Sequence, residues 1–280
     1  MLREIRVATP HRGLTGNLVW MIREAFEEEG LRVRLVTLGA GPAIVQSLQC
    51  HEAEYTNVMA GPLMAALAGI PVRVLMTYQN RGWQMWAHPT VAQPKQLEGK
   101  RVGRGSPLVW RYVERRLSQE GVDVSAIHGH EGVASARDVL QGRAEAALLL
   151  APMTVEARDL GLRQLFEVAE EMPTFGVVAL AETRQEDLDR RVVRAVSHSV
   201  HLLQERWDEG VEIAVRELQV PSQWAEGAVR ETVARLNPTG VISEEVQRLW
   251  IALASEVTGL AAIPISQVFD FRMLDDKLGG

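Results

Sequence analysis

The fold class is decided by residues 5–17, IRVATPHRGLTGN. Alternating apolar residues in Ile5–Thr9 predict a short β-strand. Pro10, Gly13 and Gly16 then predict a loop rather than a longer strand. Glycines in such a loop permit tight turns and leave backbone N–H groups open to a bound molecule. The stretch therefore predicts a strand that ends in a small loop with few bulky side chains.

Two further units repeat this plan in the first quarter of the chain. Val33–Val36 precede the loop GAGP at residues 39–42, and Tyr55–Val58 precede AGP at residues 60–62. A helical pattern follows each loop, and strands that alternate with helices form a mostly parallel sheet. Because the carboxyl ends of such strands line the ligand crevice, the three loops predict a small-molecule site built largely from backbone.

Composition excludes several classes of function. The chain has 280 residues, a formal net charge of -6 and an isoelectric point near 5.7. No basic tract stands out from this acidic background, which argues against nucleic acid as a partner. No uninterrupted run of about 18 apolar residues exists, so we predict no membrane insertion. Cys50 is the only cysteine, which excludes an intrachain disulfide.

A second series of strand, loop and helix patterns begins near residue 97. The segments QSLQCHEAE (residues 46–54) and DVLQGRAEAA (residues 138–147) share one form, so the two series repeat one plan. We therefore predict an α/β protein of two lobes, each a mixed, mostly parallel sheet flanked by helices. Lobe one comprises residues 1–86 and 180–280, and lobe two is the insertion 87–179. Two crossings join them, near residues 84–89 and 175–181.

Five segments carry a resemblance to a known group of proteins: residues 5–17, EEGLRV at 28–33, GIPV at 69–72, LEGKRVG at 97–103 and LQGRAEA at 140–146. In this order they resemble type II periplasmic binding proteins of the NMT1/THI5-like group, which covers nitrate, sulfonate, taurine and thiamine-precursor binding proteins. The resemblance spans roughly residues 5–180. It implies a type II periplasmic-binding-protein fold with a two-strand hinge, in which one ligand is held between two lobes that close by a hinge motion.

The resemblance also implies a function, namely capture of a small organic or inorganic molecule for an ABC importer. The expected partners are that small-molecule ligand and an ABC permease, and the expected oligomeric state is a monomer. The chain begins without an apolar leader or cleavage site. We therefore expect a periplasmic or extracytoplasmic location if a leader has been removed, and a cytoplasmic location otherwise.

The candidate ligand-binding residues lie at predicted strand ends and at the hinge. Free N–H groups at a helix start favour an anionic or carbonyl oxygen, and arginine pairs with carboxylates while tryptophan supplies a flat apolar wall. We therefore predict an anionic ligand, and anions with a flat or aromatic body are among the candidates. Ser106 also fits a helix N-cap. The candidates are His11, Arg12, Thr15, Gly16, Asn17, Gly39, Ala40, Asn57, Ala60, Gly61, Arg81, Trp83, Gly105, Ser106 and Pro152.

We predict no catalytic residue, no cofactor and no metal site. Relatives of this fold include a pyrimidine synthase with lysine-bound pyridoxal phosphate and a cysteine-rich motif, and this chain lacks that motif. No aspartate or glutamate falls in the strand-end loops, so His11 is the only candidate base. The histidine pairs 128/130 and 198/201 lack an evident third ligand. Two alternatives stay open: a cytoplasmic enzyme acting on a carboxylate or pyrimidine precursor, and a ligand sensor.

Overall fold

Ten strands and twelve α-helices build the protein in the computed structural model, which describes residues 1–11, 13–39, 41–130, 134–168, 171–183 and 185–275. The strands are β1 (Arg3–Thr9), β2 (Leu31–Thr37), β3 (Tyr55–Val58), β4 (Val72–Gln79), β5 (Gln84–Ala87), β6 (Arg101–Gly103), β7 (His128–Gly129), β8 (Ala146–Leu149), β9 (Arg163–Glu167) and β10 (Phe175–Leu180).

The helices follow the strands in the order that the sequence patterns predict. They are α1 (Leu14–Asn17), α2 (Arg23–Glu28), α3 (Gly41–Gln49), α4 (Ala60–Leu67), α5 (Pro107–Gln119), α6 (Ala136–Leu140), α7 (Met153–Asp159), α8 (Glu186–Glu205), α9 (Trp207–Arg216), α10 (Ser222–Val233), α11 (Glu244–Thr258) and α12 (Arg272–Asp275). No helix in the described ranges has both the length and the apolar character needed to cross a membrane.

The strands form two five-stranded mixed sheets. The first has the order β2-β1-β3-β10-β4, in which β1 runs parallel to β2 and β3 and antiparallel β10 lies between β3 and β4. The second has the order β7-β6-β8-β5-β9, in which β6 is parallel to β7 and β8 while β5 is antiparallel to its neighbours. This arrangement confirms the predicted α/β class with two lobes.

Two crossings join the lobes, one at residues 80–83 and one between β9 and β10. The Met172 N–H donates to the Asn80 carbonyl over 2.5 Å, and the Thr174 N–H donates to the Gln79 carbonyl over 3.0 Å. The predicted lobe boundary at 86/87 falls inside β5, which follows the first crossing and pairs within the second sheet. The predicted boundary at 179/180 falls inside β10, which follows the second crossing and pairs within the first sheet. Pairing places β5 in the second sheet, beside β8 and β9, and β10 in the first sheet, between β3 and β4.

One predicted helix is broken into shorter pieces. The amphipathic pattern predicts a single helix over 18–30, whereas the structure has α1, a 3-10 turn at Leu18–Met21, and α2 after Ile22. Ile22 has φ -76° and ψ 87°, outside the helical region. Residues 14–20 are buried throughout. Tertiary burial therefore overrides the helical periodicity in this segment.

The apolar core is continuous between the lobes on one side. One cluster packs Trp20, Phe26 and α8 against the first sheet, with the Trp20 and Phe26 rings stacked at 5.7 Å. A second cluster includes Trp250 of α11 together with Met85 and Val102 of lobe two. Helix α11 thus belongs to a core that both lobes share.

A polar cluster on α10 joins the lobes beside the hinge. Glu231 accepts hydrogen bonds from Gln84 Nε2 at 2.8 Å and from Thr154 Oγ1 at 2.7 Å. Arg235 donates two hydrogen bonds to Glu167, at 2.8 and 3.0 Å. Burial lowers the pKa of Arg235, but the Glu167 hydrogen bond and the charges of Glu231 and Glu167 outweigh this, so the net pKa is raised. The guanidinium therefore stays charged.

We expect Glu167→Gln to lower the free energy of unfolding by about 1–2 kcal/mol, because the substitution leaves a half-buried guanidinium without its carboxylate. Glu244→Gln is the matched control, since the Arg248–Glu244 pair is about two-thirds exposed on both sides and is expected to contribute less than about 0.5 kcal/mol. Urea unfolding of both variants measures the difference. Equal losses would show that the pair at the hinge adds nothing to stability.

Candidate functional site

The loop after β1 is held by a buried hydrogen-bond network. The Tyr78 hydroxyl donates to the Gly16 carbonyl at 2.7 Å and accepts from Trp20 Nε1 at 2.8 Å. Asn57 Nδ2 donates to the Gly16 carbonyl at 3.0 Å and to Asn17 Oδ1 at 2.8 Å. Burial raises the pKa of the Tyr78 hydroxyl, so it is neutral and able to donate. The network fixes where the loop backbone stands relative to the first sheet.

The side chains of three candidate residues in lobe one thus form hydrogen bonds within the protein. Asn17 is 1% exposed and its Nδ2 donates to the carbonyls of His11 and Gly13 at 3.0 and 2.6 Å. Asn57 is fully buried. Thr15 donates to the Ala151 carbonyl at 2.8 Å, across the two lobes. In this arrangement these side chains position the loop, and Thr15 joins it to the segment that precedes Pro152.

Gly16 and His11 occupy different surroundings in the same loop. A Cβ on Gly16 would lie 2.6 Å from the Phe175 ring, so only glycine allows this close packing. His11 is exposed, and its Nδ1 accepts the Gly13 N–H at 3.0 Å. In the neutral ring this places the proton on Nε2. In this tautomer His11 presents an N–H donor at the surface of the loop.

The amino termini of α3 and α4 converge beside the β3 end. A Cβ on Gly61 would lie 3.3 Å from the Gly41 Cα, so the two backbones nearly touch. Helix α4 has no side-chain cap. Ala60 and Gly61 are half-buried, and their N–H groups have no partner among the residues that the structure describes. Two positive helix ends and free N–H groups favour an anion at this point.

Gly105 of lobe two lies against Trp83 of the first crossing. A Cβ on Gly105, which has φ +68°, would lie 3.7 Å from the Trp83 ring. Trp83 Nε1 donates to Thr174 Oγ1 at 2.8 Å, so the ring connects the two crossings. Ser106 Oγ accepts the Val109 N–H at 3.3 Å, which makes Ser106 the N-cap of α5. The hinge tryptophan therefore lies against the strand-end loop of lobe two.

The remaining candidates lie at exposed or half-buried positions. Gly39, with φ +76°, has open space around it. Pro152 is half-buried next to α7. Arg81 is exposed, and within the described ranges its guanidinium has no ion pair or hydrogen bond. Arg12 and Ala40 lie outside the described residues.

Sequence reasoning missed two amides at the hinge. Gln79 and Asn80 are 1% and 2% exposed, and they end β4 and begin the first crossing. The sequence pattern predicts a strand over residues 72–76, whereas β4 continues to Gln79. Neither amide was therefore placed at a strand end. No group of three or more histidine, cysteine, aspartate or glutamate side chains suited to a metal occurs in the described part of the chain.

The sequence profile of the family described as NMT1/THI5 like matches residues 22–206, about two thirds of the chain. The chain belongs to the NMT1/THI5-like family. The resemblance stated from the sequence is thereby confirmed. No curated protein matches this family member significantly in sequence.

Solved structures similar to this NMT1/THI5-like protein include three binding components. The periplasmic aliphatic sulphonate binding protein SsuA from Escherichia coli has a TM-score of 0.76, 16% identity, and coverage of 95% of this chain and 92% of that chain. The alkanesulfonate-binding protein SsuA from Xanthomonas axonopodis pv. citri, bound to MOPS, has a TM-score of 0.74, 15% identity, and coverage of 95% and 98%. A zinc-bound ligand-binding component of an ABC-type import system from Staphylococcus aureus has a TM-score of 0.77, 11% identity, and coverage of 98% of both chains. At these identities the likeness establishes the shared fold.

Proposed function

We propose that this NMT1/THI5-like protein is a solute-binding protein that captures a small organic anion between its lobes and delivers it to an ABC importer. The family and the fold support this role. The observation that carries the anion is the convergence of α3 and α4 at Gly41 and Gly61, with the free N–H groups of Ala60 and Gly61 beside it. An extracytoplasmic location, an ABC permease partner and a monomeric state are parts of the same proposal.

The class of ligand follows from the chemistry of the amino termini of α3 and α4. Helix amino termini and open backbone N–H groups bind oxyanions such as sulfonate, carboxylate or phosphate. The apolar ring of Trp83 at the hinge suits an organic body attached to such a group. Two similar structures are described as binding sulphonates, so alkanesulfonates are the first probes.

A thermal-shift screen tests the proposal directly. Wild-type protein is heated with alkanesulfonates, carboxylates, nitrate and phosphate, and any compound that raises the melting temperature is recovered and identified. A ligand present at about a hundred times its Kd adds about 2.7 kcal/mol to stability, which raises the melting temperature by several degrees. An intact recovered anion supports capture, whereas a chemically altered one favours the enzyme alternative. No shift with any anion would overturn the proposal.

We expect Arg81→Ala to weaken binding of the anion found in this screen about five- to tenfold. The guanidinium at the hinge is exposed and unpaired within the described residues. The substitution should therefore remove an ion pair with the ligand and no interaction within the protein. Because the side chain supports no other residue, the melting temperature of the free protein should stay within about 1 °C of wild type.

Arg115→Ala is the matched control for Arg81→Ala, because Arg115 is also exposed but lies on α5 of lobe two, away from the hinge. Isothermal titration calorimetry of both variants measures the effect. Equal affinities in the two variants would remove Arg81 from the proposed site.

A further inference from the structure

Asn80 is a buried amide whose side chain has no hydrogen-bond partner among the residues that the structure describes. The residue is 2% exposed, and both Nδ2 and Oδ1 are unpaired within those ranges. Its backbone is firmly placed, since its carbonyl accepts the Met172 N–H. Nearly all buried polar side chains in folded proteins are paired, so an unpaired one at a hinge calls for a functional reason.

Two neighbouring amide side chains each have an unpaired oxygen atom. Asn57 Oδ1 and Gln79 Oε1 are also buried, and neither has a partner in the described part of the chain. The orientation of each amide is fixed by its nitrogen, since Asn57 Nδ2 donates to the Gly16 carbonyl and Gln79 Nε2 donates to the Arg81 carbonyl at 2.7 Å. Three unpaired oxygens and one unpaired NH₂ group therefore occur at the cleft end of the first sheet. Acceptors predominate, so the group that complements them is a donor.

The sheet register gives the distance between these amides and the anion site. Val58 and Gln79 both pair with Phe175, so these three residues form one row across β3, β10 and β4. Ala60 lies two residues after this row and Asn80 lies one residue after it. They are two strand spacings apart, which is about 10 Å.

We propose that the captured molecule is bipolar. Its anionic end binds the α4 amino terminus, and a hydrogen-bond donor at its other end, an amine, amide or hydroxyl, binds the amide of Asn80. This inference rests on the proposed function and specifies its ligand. In the present arrangement the Asn80 amide is enclosed. Because Asn80 lies within a crossing, rotation of the lobes changes its backbone dihedral angles and turns the side chain relative to the cleft.

The first test needs no ligand. Asn80→Leu and the smaller Asn80→Val remove an unpaired buried amide, so we expect the better tolerated of the two to raise the melting temperature by about 3 °C. Asn17→Leu is the control, because Asn17 is equally buried but fully paired through Nδ2 and Oδ1, and it should lower the melting temperature. If both Asn80 variants lower it as Asn17→Leu does, Asn80 is structural and the inference is overturned.

The second test uses the isosteric probes 3-aminopropane-1-sulfonate and butane-1-sulfonate, which differ by an ammonium in place of a methyl group. We expect wild type to bind the amino probe about tenfold more tightly by calorimetry, and the stabilised Asn80 variant to bind both equally. Equal affinity in wild type, or a preference that persists in the variant, overturns the bipolar ligand while leaving anion capture supported. If neither probe nor any other anion binds to the wild-type protein, both the proposed function and this inference are overturned.

Discussion

Gly61→Val is expected to weaken anion binding at least a hundredfold, a loss of about 2.7 kcal/mol. A Cβ at this position would already lie 3.3 Å from the Gly41 Cα and 3.5 Å from the Gly41 carbonyl oxygen. The two γ-methyl groups of valine are held in one preferred rotamer in a helix. They would therefore push the amino termini of α3 and α4 apart and displace the N–H groups that we propose to hold the anion.

Calorimetry with the anion found in the thermal-shift screen measures this loss. Gly61→Ala should give an intermediate effect, because the neighbouring backbone needs to move only a few tenths of an ångström. Ala65→Val, on the same helix but one turn away from the amino terminus, controls for a valine in α4 and should bind as wild type does. Wild-type affinity in Gly61→Val would exclude the converging helix ends as the anion site.

Tyr78→Phe is expected to lower the free energy of unfolding by about 2–4 kcal/mol. The substitution keeps the ring but removes the hydroxyl. The Trp20 N–H is then buried without a partner, at about 1–3 kcal/mol, and the Gly16 carbonyl keeps only the hydrogen bond from Asn57 Nδ2, a loss of about 0.5–1.5 kcal/mol. Both hydrogen bonds are short, at 2.7 and 2.8 Å, and Tyr78, Trp20 and Gly16 are all buried. Urea unfolding measures the loss, and a change below about 1 kcal/mol would contradict the assigned network.

The same variant should also weaken ligand binding, because the hydroxyl fixes the loop after β1. Tyr55→Phe separates the two effects. Its hydroxyl is hydrogen-bonded to Asp189 at 2.7 Å at the start of β3, the end of the strand remote from the cleft. We expect this control to lose stability while it keeps wild-type affinity. Equal losses of affinity in both variants would show that global destabilisation, rather than the loop position, weakens binding.

The strand and helix order of the protein could be read from the sequence because each unit is locally marked. Loops with glycine and proline, such as Gly39–Pro42, separate segments of clear periodicity, and backbone preferences there act over a few residues. The Leu18–Gly30 segment was misread because burial on all sides of residues 14–20 outweighs helical periodicity. The lobe boundaries were placed inside β5 and β10 because strand membership depends on pairing between residues far apart in the chain.

The candidate site was predictable only in outline. Topology places strand-end loops in a crevice, so residues such as Gly61 and Gly105 could be selected from position alone. The roles of Asn17 and Asn57 could not, because a side chain that binds a ligand and one that braces a loop have the same composition and position. Asn80 was missed since only its three-dimensional surroundings reveal that its amide is unpaired.

The position of β10 between β3 and β4 determines when the first sheet can be completed during synthesis. A ribosome makes β3 and β4 before residue 80 and then adds the whole of lobe two before it reaches Phe175. Until then β3 and β4 each present an unpaired strand edge, the kind of surface that promotes association between nascent chains. The nascent protein is therefore exposed to aggregation over nearly a hundred residues of elongation, at about 5–20 residues per second.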